Sequence, residues 1–72
     1  MMTLKEYLVY IRMRSTEAAG ILGLHPVYFN RIVNGHPPGP KNAILIEEWS
    51  EGNVPRHILR PDLWPPPPEG TL

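Results

Sequence analysis

Apolar residues recur at helical spacing in four stretches of this chain, and glycine, asparagine or proline separates one stretch from the next. Thr3-Leu4-Lys5-Glu6 has the spacing of a capping box, with Thr3 as N-cap and Glu6 returning to its backbone. Behind it Leu4, Leu8 and Ile11, together with Tyr7, predict a first helix running to about Met13. Ser15 is the expected cap of a second helix through Ala18, Ala19 and Leu22. Gly23 ends that helix, because a left-handed residue is cheap there only for glycine. Pro26 suits the first position of a third helix, since its ring presets φ and its missing N–H costs nothing there. This helix carries Phe29, Ile32 and Val33 and stops at Asn34-Gly35. The run His36-Pro37-Pro38-Gly39-Pro40 reads as a stiff linker. Lys41 to Glu51 is the fourth helix, with Ala43, Ile46, Trp49 and Ser50 on one face and Glu47, Glu48 and Glu51 mostly on the other. Gly52-Asn53 ends it.

From Val54 onward prolines forbid a long helix, yet Ile58, Leu59, Leu63 and Trp64 are too apolar for a solvated tail. An extended arm is therefore expected over 54–65. It reads equally as a dimer element and as the piece that closes its own core. Pro65-Pro66-Pro67-Pro68 opens a polyproline II stretch, and 66–72 reads as a flexible proline-rich tail. The expected architecture is all-α: one small domain of four short helices over 1–53, followed by an extended proline-rich C-terminal arm.

With 72 residues the core is thin, and a few large side chains or a partner subunit must hold it. There is no cysteine, which excludes disulfides and a Cys-bound zinc site. The segment Met1 to Tyr10 carries Lys5 and Glu6 and lacks a long apolar run, so it reads as neither signal peptide nor membrane span. A cytoplasmic protein with no membrane partner is the expectation. The net charge of zero hides an asymmetry. Up to Lys41, five cations (Lys5, Arg12, Arg14, Arg31, Lys41) face two anions (Glu6, Glu17), a net of +3. From Asn42 on, Arg56 and Arg60 face Glu47, Glu48, Glu51, Asp62 and Glu69, a net of −3. Such a split suits a protein that turns one face toward a polyanion.

The stretch from Ser15 to Gly35 adds chemistry to this outline. A helix-turn-helix needs a small residue where its helices cross, and Ala19 supplies it. It needs glycine at the tight turn four positions later (Gly23), an apolar residue after the turn (Leu24), and inward anchors on the second helix (Phe29, Ile32). Ala-x-x-Leu-Gly-Leu, an apolar anchor and then Asn-Gly resembles the Cro and lambda-repressor family, whose recognition helix enters the major groove. Further on, the segment Arg56-His57-Ile58-Leu59-Arg60-Pro61-Asp62-Leu63-Trp64-Pro65 is similar to the ending of the YdaS-type antitoxin or Cro-like group. The resemblance covers roughly Thr3 to Pro65. It implies a lambda-repressor-like domain that binds a double-stranded operator, as a transcriptional repressor or antitoxin-type autoregulator of a phage or prophage, and as a homodimer.

On that reading the outward face of the third helix meets DNA. Arg31 is the first candidate for base reading, because a guanidinium bonds bidentately to guanine O6 and N7; a phosphate contact or a solvated charge is as good a reading. Asn30 suits adenine or a phosphate oxygen. Val27 suits a thymine methyl group, and Tyr28 reads equally as a contact to DNA and as a half-buried ring. Ser15 and Thr16 offer helix N-terminal amides to a phosphate, with capping as the simpler role. Arg12, Arg14 and Lys5 add attraction, and Asn34, His25 and His36 complete the phosphate candidates. Two positions depart from the pattern. Pro26 stands where relatives often have glutamine, and His36-Pro37 replaces a Lys or Arg that commonly follows Asn-Gly.

Enzymatic chemistry finds no footing. His25, His36 and His57 lie in different segments without metal-ligand spacing, no nucleophile–base set can be assembled, and no cofactor is implied. The alternative is a protein-interaction module that keeps the helix-turn-helix fold, such as a toxin-neutralising partner, and works through Trp64 or the arm.

Overall fold

The Thr3 hydroxyl accepts the Glu6 amide at 3.2 Å while the Glu6 carboxylate accepts the Thr3 amide at 2.9 Å, so α1 (Leu4–Ile11) begins with both halves of its capping box in place. The computed structural model describes residues 1–65, so the expected tail over 66–72 lies outside the described residues. α1 ends two residues before Met13, because Arg12 turns left-handed at φ 56° and ψ 44° and reverses the chain. α2 (Ser15–Leu22) does not use Ser15 as its cap. Arg14 is already extended at the N-cap, and its carbonyl takes the first amides of the helix, from Glu17 and Ala18 at 3.1 Å each. Ser15 therefore lies inside the first turn. Gly23 closes α2 at φ 71°, as its lack of a Cβ permits.

α3 (Pro26–Val33) starts on Pro26, and α4 (Pro40–Trp49) starts on Pro40. The stiff linker is thus one residue shorter than expected, since proline at the first helical position loses no hydrogen bond. α4 also stops before Glu51, which sits at φ 54° ahead of Gly52 at φ 82°.

The expected extended arm is corrected by α5 (Arg56–Leu59), a single helical turn that raises the count among the described residues from four helices to five. Its start is capped from α4. The Glu47 carboxylate accepts the Arg56 amide at 2.9 Å and its Nε at 2.8 Å, and pairs with Nη2 at 2.7 Å. Glu47 consequently belongs to no solvated helix face. Within the single chain the arm contacts its own domain. Arg60 donates to the Pro38 carbonyl at 2.8 Å and forks onto Asp62 at 2.9 and 2.8 Å, and the Arg56 guanidinium lies 5.4 Å from the centre of the Trp64 ring.

One core joins Leu4, Leu8, Ala18, Ala19, Phe29, Ile32, Ile46 and Val54. α2 and α3 share the most extensive contact in the fold. The alanines leave room at their crossing, and the Phe29 ring is wholly buried. Tyr7 meets Trp49 edge-on at 5.4 Å. Val54 is fully buried, so the core continues past residue 53 into the arm. Among the described residues, no helix is long and apolar enough to cross a membrane.

Ser50 is the one buried polar residue of this core; its hydroxyl accepts the Val54 amide at 3.0 Å and donates to the Glu47 carbonyl at 3.1 Å. Ser50→Ala leaves the Val54 N–H without its acceptor. Stranding a buried donor costs about 1–3 kcal/mol. The Tm of the variant, followed by circular dichroism, should fall by roughly 5–15 °C; an unchanged Tm would mean that water reaches the amide.

The side-chain hydrogen bond from Arg56 is the main force holding the Glu47 carboxyl below the usual carboxylate range, and Arg60 does the same for Asp62. For a carboxyl lowered by folding, the stabilisation is full above the unfolded value, about pH 4, and is lost as the pH falls through the lower folded value. Tm measured across this range should therefore decline on acidification, and Glu47→Gln should flatten the decline while lowering Tm at neutral pH. Equal slopes in the two proteins would detach the ion pair from stability.

Candidate nucleic-acid interface

α3 presents a single solvent face. His25 precedes it at the N-cap, and its Nδ1 accepts the Val27 amide at 3.1 Å, a capping role that the sequence reading did not assign. Phe29 and Ile32 anchor the helix inward. Val27, Asn30, Arg31 and Asn34 then fall at helical spacing on the outside, all exposed. Val27 is 58 % exposed, which leaves its methyl groups accessible to a ligand, although exposed valines are ordinary and Val9 is more exposed still. The Arg31 side chain has no hydrogen bond or ion pair among the described residues. The Asn34 amide group donates to the Asn30 carbonyl at 3.0 Å, which leaves its oxygen outward.

Tyr28 faces elsewhere. Its half-buried hydroxyl accepts the Gly39 amide at 3.3 Å and the Asn42 side-chain amide at 3.1 Å, so it ties α3 to the start of α4. Of the two readings open to it, the half-buried ring is the one adopted, and its place on the base-reading face is withdrawn because the hydroxyl is aimed at α4.

The remaining candidates gather around the α1–α2 connection. Lys5, Arg12, Arg14, Ser15, Asn30 and Asn34 line one groove of about 390 Å³, with no carboxylate among its lining residues. Ser15 and Thr16 sit in the first turn of α2, where their amides have no hydrogen-bond acceptor among the described residues. His36 is exposed and lines a neighbouring groove of about 340 Å³ with Lys5 and Asn34. Lys5, which the sequence placed only as general attraction, borders both grooves, because α1 crosses the end of α3. No local signal along the chain reports that crossing.

Charge is divided as the sequence implied. Both ion pairs among the described residues, Glu47–Arg56 and Arg60–Asp62, belong to the C-terminal half. In the N-terminal half Lys5, Arg12, Arg14 and Arg31 are exposed and have no ion pair among the described residues. Glu6 is occupied by the Thr3 amide, which holds its carboxyl below the usual range. The arrangement can attract a polyanion to one side of the molecule and offer it one arginine fork, two amides and a set of free backbone N–H groups. The chain matches no protein-family model, no curated protein and no solved structure.

Proposed function

We propose that this chain is a sequence-specific DNA-binding transcriptional regulator, a Cro-like repressor or antitoxin-type autoregulator, which lays α3 in the major groove. One observation carries the reading: the only solvent face of α3 displays Val27, Asn30, Arg31 and Asn34 beside unpaired cations on α1 and the α1–α2 connection. The turn at Gly23 and the Ala19 crossing support a lambda-repressor-like arrangement of α2 and α3. A monomer of this size contacts few base pairs, so the functional form is a homodimer in the cytoplasm, on two half-sites about one helical turn apart. By covering a promoter it represses its own operon.

The test is titration of the protein against the DNA upstream of its own gene, at two salt concentrations and with excess random duplex as competitor. Competitor-resistant binding that weakens with salt is expected. Binding no tighter than that to random duplex would sink the repressor reading. It would turn attention to the second one, a helix-turn-helix-fold protein-interaction module such as a toxin-neutralising partner. That alternative is favoured by Tyr10, 67 % exposed beside the Tyr7–Trp49 pair, and by Leu63, 44 % exposed on the arm.

A further inference from the structure

Four helices of this protein end on the same backbone device. The amides of Met13, Leu24, His36 and Gly52 bond back five residues, to the carbonyls of Leu8, Ala19, Arg31 and Glu47, at 2.9–3.0 Å. The residue before each donor is left-handed. After α2 and α3 that residue is Gly23 (φ 71°) and Gly35 (φ 109°), as expected of a position where a Cβ crowds the backbone. After α1 it is Arg12, at φ 56°. After α4 it is Glu51, at φ 54°. Glu51 borders neither groove, whereas Arg12 stands on the wall of the larger one.

Three cations, Lys5, Arg12 and Arg14, share that wall with no carboxylate between them. Their mutual repulsion opposes folding, with no ion pair among the described residues to relieve it, and the left-handed backbone of Arg12 is a cost that glycine would not carry. Val9, 75 % exposed, gives the same groove an apolar side, while Asn30 and Asn34 close it from α3. A concavity with cationic rims, an apolar wall and amide groups complements a sugar–phosphate strand: phosphates against the cations, deoxyribose against the valine. Building on the DNA-binding reading above, we infer that the groove between α1 and the end of α3 seats one phosphodiester strand of duplex DNA, and that Arg12 clamps it at the cost of its own backbone. The base-reading face then has a fixed register, because the strand enters next to Asn30 and Asn34.

Binding of the full chain to a random-sequence duplex, followed by fluorescence anisotropy over a series of salt concentrations, tests this. Arg12→Gln removes the charge and keeps the backbone strain, Arg12→Gly removes both, and Lys5→Gln removes a charge that carries no strain. Each variant should bind roughly three- to tenfold more weakly at low salt, with a log–log salt slope smaller by about one. Both substitutions relieve the repulsion, so the backbone is read from the difference: Arg12→Gly should melt about 2–4 °C above Arg12→Gln. Wild-type salt slopes in all three variants, while the wild-type chain itself binds duplex in a salt-dependent way, would overturn the groove and leave the DNA-binding reading standing. Failure of the wild-type chain to bind any duplex at low salt would overturn both.

Discussion

Phe29→Ala is expected to lower the Tm by roughly 15–30 °C. Phe29 is among the largest fully buried side chains and sits where α3 meets α2. Truncating a buried phenylalanine costs about 3–5 kcal/mol, from lost transfer energy and from the cavity left behind. A chain of this length has only about 4–10 kcal/mol in total. Among the described residues the core forms one group, and the alanines beside the ring have nothing to extend into the gap. Thermal unfolding checks it, with Phe29→Leu as the milder companion. A fall of under about 5 °C would mean that α2 and α3 close over the cavity, and the fold would then be far less dependent on this ring than its complete burial implies. Any DNA affinity should follow the folded fraction, because the outer face of α3 is untouched.

Arg31→Ala is expected to act in the opposite manner, with little change in Tm and a large loss of specific binding. The side chain is exposed and unpaired among the described residues, and surface substitutions of that kind shift stability by about 0.5 kcal/mol or less. A bidentate contact to guanine is worth about 1–3 kcal/mol of discrimination, so competitor-resistant binding should weaken roughly tenfold to a hundredfold or more. Arg31→Lys sharpens the interpretation. Lysine keeps the charge but has no planar fork, so random-duplex binding should persist while preference for the operator is lost. Equal weakening on operator and random duplex in Arg31→Ala would reassign Arg31 to a phosphate and move base reading to Asn30 or Val27.

These two residues also mark what was legible along the chain. Phe29 and Ile32 inward with Asn30 and Arg31 outward followed from helical spacing together with the helix-turn-helix pattern, and the capping box at Thr3, the turn at Gly23 and the start of α3 at Pro26 followed from local residue types. Each depends on residues within four positions of one another. Boundaries were less legible where a residue acted against its type. Arg12 took a left-handed conformation that composition assigns to glycine, which shortened α1 and moved the cap of α2 from Ser15 to Arg14. Tyr28 was open between DNA and the interior until Gly39 and Asn42 came to its hydroxyl from residues 11 and 14 positions away.

By itself, then, the sequence determined the helical character, the order of α1 to α4, the single outward face of α3 and the charge asymmetry between halves. All of these are set by side-chain periodicity, caps and counts that act locally. The tertiary structure decided the rest. It wound Arg56–Leu59 into α5 because Glu47 of α4 reaches its first amide, and it drew the arm onto Pro38 through Arg60. It also set Lys5 and Arg12 beside Asn30 and Asn34 in one groove. These are long-range pairings, made only after the loops between them close, and no local pattern of hydrophobic and polar residues encodes which partners meet.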